Sequence, residues 1–101
     1  MVGRYIIASS AQTDLDEIWS YIESMATASV ADSVVDNVTG VFPLLAANPG
    51  MGLRRTSLGV GIRSFPVSNY RIYYHQIEQE VVRILHIKHA AQRERRVSPL
   101  N

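Results

Sequence analysis

The sequence predicts an α+β domain of order β-α-α-β-β-β, an antiparallel sheet with a helical hairpin packed on one face. Two apolar stripes predict the helices. Leu15, Ile18, Trp19, Ile22 and Met25 recur at i, i+3, i+4, i+7 spacing, and Val30, Val34, Val38, Val41, Phe42 and Leu45 do so again. A third observation predicts the sheet: residues 62–89 hold three β-branched and aromatic runs separated by short polar turns.

Each element has a local reason. Tyr5–Ser9 is short and β-branched, as a strand requires. Ser9 followed by Gln12 reads as a capping box opening the first helix. Asp14, Asp16, Glu17 and Glu23 fall largely off its apolar stripe, and the early ones suit the helix dipole. Trp19 and Met25 are expected in the core. Ser29 or a neighbour starts the second helix, but Gly40 and Pro43 interrupt its periodic run, and an interior proline costs around 3 kcal/mol. A kink or early break near Gly40 follows, with Phe42 and Leu45 still packed. Asn48-Pro49-Gly50 ends the element. A glycine-rich loop, Gly50 to Gly61, carries Arg54 and Arg55; loops this long in a small domain are commonly functional. The strands Ile62–Val67, Tyr70–Ile77 and Val81–His89 then form a meander, with turns at Ser68-Asn69 and Glu78-Gln79-Glu80. Pro66 confines its part of the strand to an edge or bulge.

With 101 residues, residues 1–101 make one domain, of which 89–101 form a basic C-terminal tail. A hydrophobic fraction of 47% argues against disorder, and the absence of cysteine excludes a disulfide scaffold, thiolate-ligated metals and thiol catalysis. The net charge of +1 is a cancellation. Residues 1–50 hold one basic residue, Arg4, against six acidic ones; residues 51–101 hold nine basic residues against three glutamates, and all three histidines. The halves therefore face partners of different chemistry or match one another. The start lacks a signal-peptide core, and the uncharged stretch from Asn37 to Leu53 is broken by glycines, prolines and an asparagine, so no membrane span is expected and the chain reads as cytoplasmic.

Five quoted stretches carry a resemblance. They are Asp14-Leu15-x-x-Ile18-x-x-Tyr21-Ile22; Leu45-Ala46-x-x-Pro49-x-Met51-Gly52; Gly61-Ile62-Arg63-Ser64-Phe65-Pro66-Val67; Tyr70-Arg71-Ile72-Tyr73-Tyr74; and Val82-Arg83-Ile84-Leu85-His86-Ile87-Lys88-His89-Ala90-Ala91. Together they resemble the ParE/RelE superfamily of bacterial type II toxins, on the ParE branch, from Tyr5 to about Gln92. The resemblance implies a toxin neutralised by a cognate, ParD-like DNA-binding antitoxin in a hetero-oligomer. It also implies one of two activities: inhibition of DNA gyrase by binding, or metal-free cleavage of mRNA in the ribosome. Fold alone does not choose between them.

Metal-free RNA cleavage needs a base, an acid and cations around the phosphate. Arg71 matches one RelE-type active-site arginine, but a second falls on Ala90, and the lysine pair of the preceding strand falls on Ile62 and Ser64. Strand alternation offers a substitute: if Ile72, Leu85 and Ile87 face the helices, then Arg71, Tyr73, His86 and Lys88 gather on the open face. That set is the catalytic alternative; the gyrase reading has no catalytic residues. Target contacts are expected from Arg54, Arg55, Arg63, Arg71, Lys88, Arg93, Arg95 and Arg96, and antitoxin contacts from Trp19, Tyr21, Ile22, Val34 and Val38 on the hairpin. No metal or cofactor is expected: His86 and His89, three apart on a strand, point to opposite faces and do not chelate together, and His89 is expected at the core edge with one hydrogen bond. A toxin that only binds its antitoxin remains a third reading.

Overall fold

The computed structural model describes residues 3–91. Strand β1 is Arg4–Ile7, followed by α1 (Ser9–Met25), α2 (Ala28–Thr39), α3 (Phe42–Ala47), a 3-10 turn (Pro49–Met51), β2 (Leu53–Arg54), β3 (Arg63–Val67), β4 (Tyr70–Glu78) and β5 (Val81–His89). The expected order holds, with a short third helix split from the second at the Gly40 break, and a 3-10 turn and a two-residue strand added in the loop. The sheet runs β1-β5-β4-β3-β2. Its β2-to-β5 part is antiparallel, whereas β1 lies parallel to β5 at one edge, with Arg4 opposite Val81 and Ile7 opposite Ile84. The long helical connection makes this possible, since parallel neighbours need a crossover and cannot be joined by a hairpin.

The helices begin and end for identifiable reasons. The expected capping box is not formed: Ala8 is the N-cap without a side-chain bond, Gln12 Nε2 bonds Asp16, and Ser10 Oγ donates to the Leu85 carbonyl. The α1 N-terminus is thus tied to the sheet instead of capped by its own side chains. Thr27 caps α2 by accepting the Val30 N–H. The second apolar run breaks at Gly40, and Pro43 falls in the first turn of α3, where its missing N–H costs nothing. Ala28–Ala47 is long and apolar enough, by length and composition, to cross a membrane, but the break divides it and Val38, Phe42 and Leu45 sit in the core.

Small residues bring α1 and α2 together, with Ala11 and Ala31 fully buried and Trp19 Nε1 donating to Asp32 Oδ1 at 2.8 Å. Met25, expected in the core, is 70% exposed, because the hairpin end Tyr21–Val30 is solvated apart from half-buried Ile22. The main core lies between helices and sheet, where Leu15, Val38, Phe42 and Leu45 meet Ile72, Tyr74, Val82, Ile84 and Ile87. Gly3 abuts the Ala46 carbonyl, where a Cβ would overlap the α3 backbone.

One irregularity redirects the last strand. Tyr73 opposes His86, while the next residue, Tyr74, opposes Ile84, so Leu85 is the extra residue of a β-bulge. Ile72 and Ile87 face the helices as expected. Leu85 does not: the bulge turns it to the other face, where it joins Leu58, Ile62 and Tyr73 in a second core. Pro66 lies beyond the end of β2, which pairs only Arg63 and Ser64, so no ladder bond is lost at its nitrogen.

Candidate functional site

Strand β5 is covered by β1 only as far as Ile84, and beyond that point its outer edge needs another partner. Helix α1 supplies it. Asp14 Oδ2 accepts the Ile87 N–H and the His86 Nδ1–H, each at 3.0 Å, and all three groups are largely buried. A carboxylate oxygen only accepts, so the proton sits on Nδ1 of His86.

Beside this clamp lies a cleft of about 440 Å³, lined by Asp14, Glu17, Ile18 and Tyr21 of α1, Tyr70 of β4, and Ile87, Lys88 and His89 of β5. Tyr70 and His89 are register partners whose rings meet edge to face, 5.4 Å between centroids. Burial, and secondarily neighbouring Tyr21, raises the Tyr70 phenol above its ordinary value. His89 Nδ1 accepts the Ala91 N–H, but its ring is exposed and not at the expected core edge. The cleft offers two carboxylates and two phenol rings, with one ammonium at its margin. Among the described residues, no three His, Asp or Glu side chains stand close enough to hold a metal ion.

The opposite face of the sheet is not open at its centre. The loop after β2 lays Leu58 and Ile62 over Tyr73 and Leu85, leaving Tyr73 only 1% exposed. This closure corrects the expected catalytic arrangement. Arg71 pairs with Lys88, and Tyr73 with His86, across β4 and β5. Yet Tyr73 is sealed under the loop, His86 is bound to α1, and Lys88 borders the α1 cleft, so the four do not converge on one open surface.

The basic loop is held to β3 and β4 by side-chain hydrogen bonds. Arg55 Nη1 donates to Ser64 Oγ at 3.0 Å, and Arg63 Nη1 to the Gly52 carbonyl at 2.8 Å. Tyr74 closes the loop from beneath: its hydroxyl accepts the Gly52 N–H and donates to the Pro49 carbonyl, both at 2.8 Å. Burial raises the Tyr74 phenol, with Gly52 and Arg63 partly opposing, so the donor proton is retained at neutral pH. Arg54 is exposed at the sheet edge, and Arg93, Arg95 and Arg96 lie outside the described residues. On the hairpin, Tyr21 is exposed and Trp19, Ile22 and Val34 are half-buried, but Val38 is fully buried in the core and presents no surface to a partner.

His75 stands on the sheet's loop-covered face with Nε2 buried and unpaired. Burial, and then the Arg83 guanidinium opposite, lowers its proton affinity below the ordinary value of 6.5. The unfolded chain therefore takes up a proton first, and stability falls as pH drops below about 6.5. A His75→Gln variant is expected to flatten the decline in melting temperature as pH falls below about 6.5; an unchanged slope would remove His75 as its source.

Sequence reasoning missed Asp14, Glu17 and Tyr70 as site residues. A signal existed on α1, since Asp14, Glu17, Ile18 and Tyr21 share one helical face by spacing. For Tyr70, its pairing with His89 depends on where the turn sets the β4–β5 register, which periodicity within one strand does not report.

Comparison with known proteins agrees with this architecture. The family model described as the ParE toxin of the type II toxin–antitoxin system parDE matches residues 5–94. Toxin ParE1 of Caulobacter vibrioides is 28% identical over 83 residues, covering 81% of this chain and 86% of that protein. Toxin ParE1 of Mycobacterium tuberculosis is 26% identical over 89 residues, covering 85% and 91%. Among solved structures, the chromosomal ParDE toxin–antitoxin system of P. aeruginosa superposes with a TM-score of 0.73 at 19% identity, covering 88% of this chain and 96% of that one. A chain of the RelBE2 toxin–antitoxin complex of Mycobacterium tuberculosis gives 0.57 at 22%, covering 88% and 99%. With the family model matching nearly the whole chain, this protein belongs to the ParE family of type II toxins.

Proposed function

We propose that this toxin inhibits DNA gyrase by binding it in the cytoplasm, without chemistry of its own, and that a cognate ParD-like antitoxin neutralises it. The observation that carries this reading over RNA cleavage is the closed sheet face: Tyr73 is buried beneath Leu58 and Ile62, and Ile62, Ser64 and Ala90 stand where RelE-like enzymes place cations. Binding needs no such acid–base set. The basic loop with Arg54, Arg55 and Arg63, and the Arg71–Lys88 pair, supply positive charge for the target surface. The antitoxin docks on the hairpin through exposed Tyr21 and half-buried Ile22 and Val34.

A second reading, mRNA cleavage in the ribosome, is favoured by one observation. Asp14 fixes the His86 proton on Nδ1, which orients the ring as a general base requires. A paired assay separates the two. Purified protein added to a supercoiling reaction is expected to inhibit gyrase, while mRNA on translating ribosomes stays intact. Cleaved mRNA with untouched gyrase would reverse the assignment.

A further inference from the structure

The outer edge of β1, which has no strand beside it among the described residues, has a self-complementary form. The Arg4 and Ala8 N–H groups bond inward, to the carbonyls of Glu80 and Ile84. Alternation then turns the N–H and C=O of both Tyr5 and Ile7 outward, away from β5. All four residues of the strand are exposed, with Tyr5 at 38%, Ile6 at 44% and Ile7 at 37%. Edge strands of this kind are normally protected by lysine, proline, a bulge or inward-pointing charge. Here the sole charge is Arg4, at the strand's end.

We propose that this edge pairs with the same edge of a second copy of the chain, antiparallel about a two-fold axis through Ile6. In that register Tyr5 meets Ile7 of the copy, and Ile7 meets Tyr5. Each pair exchanges both main-chain hydrogen bonds, so all four outward groups on each strand are satisfied. Shifting the register by one residue leaves them facing side chains. The side chains agree: Tyr5 and Ile7 form two aromatic–β-branched pairs on the helical side, and Ile6 meets its own copy directly on the other. Arg4 falls opposite Ala8, so no like charges oppose one another. The axis runs normal to the sheet and sets both α3 helices on the same side, each with Leu44 exposed. Three apolar side chains per copy make a patch below the size of a permanent interface, so the dimer is weak and reversible.

The absence of cysteine makes the test direct. Antiparallel non-hydrogen-bonded pairs hold their Cβ atoms at a spacing that accepts a disulfide. The Ile6→Cys protein under mild oxidation is expected to form a linked dimer at least about tenfold faster than Val60→Cys, whose side chain is 94% exposed and lies away from this edge. Sedimentation of the unmodified chain is expected to show reversible dimerisation at high micromolar concentration. Ile6→Lys places two ammonium groups in opposition and is expected to weaken it about tenfold with an unchanged melting temperature. The proposal is overturned by a monomer at every concentration, by equal crosslinking of the two cysteine variants, or by a dimer indifferent to Ile6→Lys. Protection of the edge by a co-purifying polypeptide, with no self-pairing when it is removed, overturns it equally and assigns the edge to that partner's strand.

Discussion

Replacing Asp14 by alanine is expected to destabilise the fold by about 3 kcal/mol, a drop on the order of 15 °C in melting temperature for a domain of this size. One carboxylate oxygen serves both the His86 ring and the Ile87 amide at the point where β1 leaves β5 uncovered. Hydrogen bonds to a charged acceptor contribute about 1.5–3 kcal/mol each, and the alanine variant leaves an amide at a partly buried edge without an acceptor. Asp14→Asn keeps an acceptor but not the charge, and is expected to recover about half of the loss. Amide exchange gives the local readout: the Ile87 N–H should exchange faster in Asp14→Ala, with Ile72 across the strand pair changing less. A melting temperature within a degree or two of the parent would show that water replaces the carboxylate.

The second large effect is expected at Tyr74. Tyr74→Phe removes one hydroxyl that accepts the Gly52 N–H and donates to the Pro49 carbonyl. Gly52 is itself buried, so its amide has no water to turn to. Two lost hydrogen bonds and one stranded donor amount to roughly 3 kcal/mol. The ring still fills its space in the core, so the fold persists and the loss concentrates in the segment from Pro49 to Arg54. Limited proteolysis at Arg54 and Arg55 is expected to accelerate more than global unfolding does. Gly52→Ala provides an independent check, because a Cβ there would stand 2.6 Å from the Tyr74 hydroxyl and 2.7 Å from the Ser64 carbonyl oxygen. Equal proteolysis of Tyr74→Phe and the parent would mean the hydroxyl does not hold the loop.

The element order and the break at Gly40 were legible because each rests on local physics: helical spacing, β-branched runs, and the cost of an interior proline. What failed was non-local. Strand alternation applied to β5 put Leu85 with Ile87, and one bulged residue reversed it. Val38 and Met25 fit the same kind of apolar stripe, yet the first is buried and the second exposed, because the sheet underlies only part of the hairpin. Ser9 and Gln12 have the letters of a capping box, but neighbouring Ser10 finds a better acceptor 75 residues away on β5. By sequence Asp14 is a charge suited to a helix start, whereas its partner in the fold is an amide 73 residues later. The site is built from pairings between the first helix and the last strand, which no window along the chain contains.

The parallel pairing of β1 with β5 also sets an order of events in synthesis. Strand β1 is made well before residues 81–84, the segment of β5 that completes it. Until then Tyr5, Ile6 and Ile7 have no neighbour in the sheet, and Asp14 has no amide to bind. Contacts of such long sequence separation form late, after the local hairpins. A growing chain therefore carries β1 unpaired until β5 has been made, and the sheet is completed only then. Any surface that depends on α1 meeting β5 is absent from every shorter product, which makes premature termination before residue 81 a clean loss of the folded toxin.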